Sequence, residues 1–251
     1  MNMTVTGERR YGLLQAGKDS DYVKKVYGGY FNVYVEAFGE EEEKWDLFRV
    51  YEGDFPDFND LHKYDGFVIG GSSSDAFGND YWILRLCFLV QTLDAMQKKL
   101  LGLCFGHQVI CRALGGRVGR AYTGWDIGIR EVSLVKDVGG CRCLEDIDER
   151  PASLSVIEIH QDEVLEVPMG AQVIAFSEKT GVEMFAIGDH ILGIQGHPEY
   201  TKDILSSIID RLLNMDIIEK GFAEDVKCAL QLAEPDRTCW ETICRKFLKG
   251  T

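Results

Sequence analysis

The chain has 251 residues, 45% of them hydrophobic and 27% charged, with a formal net charge of −14 and a pI near 4.8. This is the composition of an ordinary globular protein, and so acidic a surface would repel a nucleic-acid backbone. No run reaches the roughly 20 apolar residues that a membrane span needs. The opening MNMTVTGERRYGLL lacks the apolar core of a secretory leader and the Arg/Ser-rich face of a transit peptide. Eight cysteines, at 87, 104, 111, 141, 143, 228, 239 and 244, are scattered, and reduced thiols point to a cytosolic protein. Cys141-Arg-Cys143 is too tight for a zinc pair and no second pair balances it, so neither a metal nor a cofactor is expected. The acidic run Glu40–Glu43 reads as a solvated loop.

In chain order, Arg10–Gln15 reads as a first short strand. Asp19 or Ser20 would cap a helical turn over 22–27, which Gly28-Gly29 ends. Residues 31–37 alternate through Val33 and Val35 and are expected as a strand, with another over 46–51. A short helix is expected over 59–63, and DGFVIG at 65–70 reads as a buried parallel strand. Residues 80–96 carry apolar side chains at helical period, and Cys87, Cys111 and Cys244 read as small core residues on helix faces. A strand over 99–103 followed by a helix over 105–114 completes an alternation that predicts a mainly parallel sheet covered on both faces. From 117 to 176 the pattern changes to short β-like runs, punctuated at Gly139-Gly140 and Arg150-Pro151, which suit hairpins at a sheet edge. A hairpin over 182–187 and 191–195 follows, turned at Gly188-Asp189-His190. Thr201 then caps one helix, and a last helix carries Trp240, Ile243, Cys244, Phe247 and Leu248 on one face. No repeat or low-complexity linker interrupts the chain, so a single domain over 1–251 is expected.

Two stretches carry chemistry. KKLLGLCFG at 98–106 is an apolar strand ending in a sharp turn, where Gly102 and Gly106 leave room for strained backbone at Cys104. The first N–H groups of the following helix would face the sulfur, and the positive potential there favours a thiolate. GHPEY at 196–200 supplies a base, His197, and a carboxylate to orient it, Glu199. The two stretches lie 93 residues apart (197 − 104), so only the fold can join them. Taken singly, such a cysteine is also a core residue and such a histidine a surface one. Gly70-Gly71-Ser72-Ser73-Ser74 reads as a loop whose N–H groups would hold an oxyanion, or as a plain strand-end turn. The Gly-Lys-Ser/Thr ending of a phosphate loop is missing.

GLCFGHQ and GHPEY resemble the nucleophile and His-Pro-Glu motifs of class I glutamine amidotransferases, and FVIGGSS at 67–73 resembles their oxyanion loop. The resemblance implies a three-layer α/β sandwich of flavodoxin-like type with a smaller β-rich excursion. It also implies a catalytic set of Cys104, His197 and Glu199, with an oxyanion hole from the N–H groups of Gly71 and Phe105. Gly70, Ser72 and Gln108 fall at substrate-side positions. His160-Gln161-Asp162 resembles the element that meets a substrate α-ammonium in GMP-synthetase-type glutaminases; Asp162 reads equally as the N-cap of a helix over Glu163-Val-Leu. His62 and His190 read as surface residues. The loop departs from the family's usual Gly-Gly-Pro in having Ser72, and no ATP-binding or synthetase domain is expected beside it.

Longer stretches, VKKVYGGYFNVYVEAFG at 23–39, WDLFRVYEGDFPD at 45–57, HQDEVLEVP at 160–168 and WETICRKFLKG at 240–250, resemble plant γ-glutamyl peptidases. That resemblance implies a cytosolic hydrolase acting on a small-molecule substrate, the γ-glutamyl bond of glutathione and its S-conjugates. It implies roles in glutathione turnover and sulfur-containing defence metabolism. The early, glycine-rich Tyr27-Gly28-Gly29-Tyr30 segment is read as lining the leaving-group side. An ammonia-supplying glutaminase subunit, which would need a synthetase partner, and a non-enzymatic redox sensor are the alternatives. The sequence does not fix the oligomeric state.

Overall fold

The computed structural model describes residues 8–136 and 151–250. The expected turn at Gly139-Gly140 and the Cys141-Arg-Cys143 pair lie outside them. Strands β1 (Arg10–Gln15), β2 (Lys44–Arg49), β3 (Gly66–Ile69) and β4 (Lys99–Leu103) run parallel in the order β2–β1–β3–β4. β11 (Ile191–Ile194) joins them in parallel beside β4. Every residue of β3 and β11 is buried, as a strand covered on both faces requires. The β-rich excursion continues the same sheet antiparallel as β10 (Met184–Ile187), β9 (Gln172–Phe176), β6 (Asp126–Leu134) and β7 (Ser153–His160). A separate pair, β5 (Arg117–Arg120) and β8 (Asp162–Glu166), forms a small second sheet.

Helices cover both faces. On one side lie α1 (Asp21–Tyr27), α2 (Tyr30–Phe38), α5 (Lys202–Asn214), α6 (Lys220–Leu232) and α7 (Arg237–Lys249); on the other lie α3 (Tyr81–Ala95) and α4 (Phe105–Ala113). The result is the three-layer α/β architecture expected, with a large central sheet. No helix among the described residues is long and apolar enough to cross a membrane. α7 buries Trp240, Ile243, Cys244, Phe247 and Leu248, each side chain worth roughly 1.5–3 kcal/mol when removed from water.

Four expectations are corrected. Residues 31–37 are helical, within α2. Val33, Tyr34, Ala37 and Phe38 are buried together at i, i+1, i+4 and i+5, so packing overrides the strand preference of Val33 and Val35. The run after Asp162 is strand β8, held by pairing with β5, so Asp162 caps no helix. His190 is buried, with Nε2 2.7 Å from Asp94. Glu43 does not sit in a solvated run, because its carboxylate is buried against the Lys249 ammonium, which lies 4.0 Å above the Tyr11 ring. Cys111 and Cys244 are buried as expected, while Cys87 is partly exposed.

Candidate active site

β4 and β11 are neighbours, with Gly102 opposite Gly193 and Leu103 opposite Ile194, so the segments that follow them emerge side by side at one end of the sheet. Adjacency of two strands thus closes the 93-residue gap. Cys104 makes the turn from β4 into α4 with φ 51° and ψ −105°. A non-glycine residue held there stores on the order of 1–3 kcal/mol of strain. Its N–H donates to the Ile194 carbonyl at 2.9 Å and its carbonyl accepts from Gln108 N–H at 3.1 Å, which fixes the turn. The cysteine itself carries the strained φ. Gly102 and Gly106 serve by size: a Cβ at Gly106 would overlap the Ile69 carbonyl, and one at Gly102 would meet the Gly106 backbone at 2.6 Å.

His197 is anchored by its N–H to the Ile157 carbonyl at 2.8 Å, and its Nδ1 lies 2.8 Å from Oε1 of the fully buried Glu199. That contact leaves Nε2 for Cys104. The ring lies flat on Tyr200, centroids 4.1 Å apart and 6° from parallel. Burial would depress the His197 pKa, but the charges of Glu199 and Cys104, with hydrogen bonds to both, overturn that and raise it to about 10. A Cβ on Gly71 would come 2.8 Å from His197 Cε1 and 3.9 Å from Cys104 Cβ, so the glycine loop bears directly on both.

The two N–H groups expected to hold an oxyanion differ. That of Phe105 is in the first turn of α4, where no intrahelical carbonyl can take it. That of Gly71 donates to the Tyr34 hydroxyl at 3.2 Å. Tyr34 is buried and also faces Glu199; burial first, then that charge, push its pKa well above the usual tyrosine value.

Tyr34, Gly71, Cys104, His197 and Tyr200 line a cleft of about 650 Å³, within the range of small-molecule sites, with Glu199 and Phe105 behind its wall. Gly70 and Ser72 lie in its wall, with the Ser72 hydroxyl accepting from Ser74 N–H at 3.1 Å. Gln108 lines it too, but its amide nitrogen is spent on the Asp162 carbonyl at 2.8 Å and on Gln195 Oε1 at 3.0 Å, so it braces the wall. Asp162 pairs with Arg120 at 2.8 Å, and Arg120 also reaches Asp75 at 3.2 Å and Gln161 at 2.9 Å. Burial raises the Asp162 pKa to about 6, with Arg120 opposing and Asp75 adding. His160 lies 3.0 Å by Nδ1 from the Asp162 carbonyl, and burial lowers its pKa to about 4. Tyr30 lines the cleft, whereas Tyr27 bonds away from it to Thr201 and Asp203. Sequence reasoning missed Tyr34, Asp75, Arg120 and Tyr200 as site residues. Only Tyr200 had a local signal, as the last residue of the histidine motif.

A cysteine on a strained strand-to-helix turn, beside a charged histidine in a cleft that offers both signs of charge, is equipped for acyl transfer to sulfur. The family model described as glutamine amidotransferase class-I matches residues 23–210, a span that holds the glycine loop, the cysteine turn and the His-Pro-Glu segment. Gamma-glutamyl peptidase 3 of Arabidopsis thaliana is 54% identical over 99% of this chain and 100% of its own, and gamma-glutamyl peptidase 5 of that plant is 54% identical over 98% of each. Among solved structures, a glutamine amidotransferase from Thermotoga maritima superposes with a TM-score of 0.69 at 19% identity, covering 96% of this chain and 99% of that one. The chain belongs to the class-I glutamine amidotransferase family, among the γ-glutamyl peptidases.

Proposed function

We propose that this protein is a cytosolic cysteine hydrolase that cleaves the γ-glutamyl bond of glutathione and its S-conjugates, acting as a single domain over its length. It releases glutamate and the Cys-Gly portion, free or S-substituted. This serves glutathione turnover and the processing of sulfur-containing defence conjugates. The observation that carries the reading is 54% identity, over nearly the whole chain, to plant γ-glutamyl peptidases. The charged pair Arg120–Asp162 supports it, since a glutamyl group brings both an α-carboxylate and an α-ammonium.

The Cys104 proton already rests on His197, which the Glu199 and Cys104 charges keep as imidazolium, and the sulfur attacks the γ-carbonyl. The oxyanion is held by Phe105 N–H and by Gly71 N–H, which exchanges Tyr34 for the acyl oxygen. Each such donor contributes about 3–4 kcal/mol to lowering the barrier. His197, oriented by Glu199, gives the proton to the leaving amine, and the C–N bond breaks to leave a γ-glutamyl thioester. His197 then takes a proton from water, whose oxygen attacks the thioester. Glutamate departs, the sulfur is freed, and the proton taken from water stays on His197.

The test is a side-by-side assay of glutathione, S-methylglutathione and glutamine, following glutamate, Cys-Gly and ammonia, with Cys104→Ala as blank. Glutamate with Cys-Gly or its S-methyl form, and little ammonia, is the expected outcome. Ammonia from glutamine with both peptides untouched would sink the reading in favour of an ammonia-supplying subunit.

A further inference from the structure

The cleft has two walls of opposite character. The wall on the α4 side holds both of the carboxylates that line the cleft, Asp75 and Asp162, and both are bonded to Arg120. The wall on the α2 and α5 side is formed by Tyr30, Tyr200, Ile208 and Leu212, which belong to the apolar core of that face, and it contributes no carboxylate to the lining. Arg211 and Ile217 complete it, and both are exposed at its edge. The Arg211 guanidinium makes no hydrogen bond or ion pair among the described residues, and its neighbour Asp210 is taken by Lys227. It is nonetheless close enough to Tyr30 for its charge to act on that phenol. A cation in the last turn of a helix is favoured by the helix dipole, but that does not account for its place in the lining of a cleft in a chain of net charge −14.

The direction of the reaction separates the walls. The glutamyl group needs both signs of charge, and these stand on the α4 side. The leaving amine must lie within hydrogen-bond reach of His197, whose ring stacks on Tyr200, which in turn stacks on Tyr30 with centroids 5.8 Å apart. The leaving portion therefore departs along the Tyr200–Tyr30–α5 wall.

Resting on the γ-glutamyl reading above, we propose that Arg211 is a specificity-determining residue that receives the terminal carboxylate of the leaving dipeptide, with Ile208, Leu212 and Ile217 as an apolar shelf for a substituent on its sulfur. The preferred substrates are then γ-glutamyl peptides that end in a free carboxylate and carry an apolar S-substituent.

The experiment compares kcat/KM for S-hexylglutathione and for its C-terminal glycinamide, in the wild type, Arg211→Gln and Arg211→Lys, by glutamate release. An exposed charge-assisted contact of this kind predicts that the wild type favours the acid roughly five- to tenfold. Arg211→Gln brings the ratio toward one, and Arg211→Lys retains part of it. The preference also shrinks as salt is raised. Equal rates for acid and amide in the wild type, or an undiminished preference in Arg211→Gln, would overturn the assignment while leaving the hydrolase reading intact. Cleavage of neither peptide, with glutamine hydrolysed, would remove both.

Discussion

Two buried histidines line the same cleft and titrate in opposite directions. His197 is raised to about 10, while His160 is lowered to about 4. Both are almost wholly buried, so desolvation pushes each toward the neutral ring. The difference lies in their partners. His197 has the Glu199 carboxylate 2.8 Å from Nδ1 and the cysteine beyond. His160 has a backbone carbonyl at Nδ1, and near Nε2, at 3.5 Å, it has Glu158, whose own pKa burial raises well above normal beside Glu183 and Asp126. That second contact therefore joins neutral groups and confers no charge. Burial alone makes a silent histidine, and a dedicated carboxylate makes a proton carrier.

The comparison breaks most severely if the carboxylate is removed. Glu199→Gln leaves His197 buried with no charge at Nδ1, which gives it the surroundings of His160. Its pKa is expected to fall well below 10 and kcat to drop by about 10³–10⁴, read from steady-state glutamate release. Gly71→Ala tests the same histidine by position, since the new methyl would press on Cε1. A loss of about 10² in kcat with unchanged far-UV circular dichroism is expected.

The acidic side of the cleft gives smaller effects. On the proposed reading, in which Asp162 accepts from the substrate α-ammonium, Asp162→Asn is expected to raise KM about tenfold while kcat changes less. In the wild type, kcat/KM should fall as pH drops below about 6, where Asp162 takes up a proton. The smallest effect concerns stability. Burial raises the Glu183 pKa to about 7, with Asp126 and Glu163 adding and Ser177 and Glu158 opposing. A raised carboxyl pKa means that the folded state binds the extra proton. Stability is then greatest below the unfolded value near 4.5 and declines as pH rises through about 7. Glu183→Gln should gain on the order of 1–2 kcal/mol over wild type at pH 8 and little at pH 5, measured by urea unfolding at both pH values.

The parts of the site that the sequence disclosed are those built within a few residues. The cysteine turn needs small neighbours at fixed offsets, and the His-Pro-Glu segment holds base and carboxylate two residues apart, so both leave local patterns. The long apolar runs of β3, β4 and β11 likewise announce strands buried on both faces. What stayed hidden is assembled from distant segments. Arg120 reaches Asp75 and Asp162 from the small second sheet, and Tyr34 meets Gly71 from a helix whose β-branched residues read as a strand. The buried Glu43–Lys249 pair joins residues near opposite ends of the chain, so an acidic run looked solvated when one of its members was not.

The central claim is that Glu199 keeps His197 charged in a place where burial would otherwise discharge it. NMR titration of the imidazole nitrogens in the wild-type protein tests this most directly. His197 is expected to keep its imidazolium signature to about pH 10. Within the same spectra His160 should stay neutral down to about pH 4. A His197 that loses its proton at or below pH 6.5, in step with ordinary buried histidines, would contradict the account.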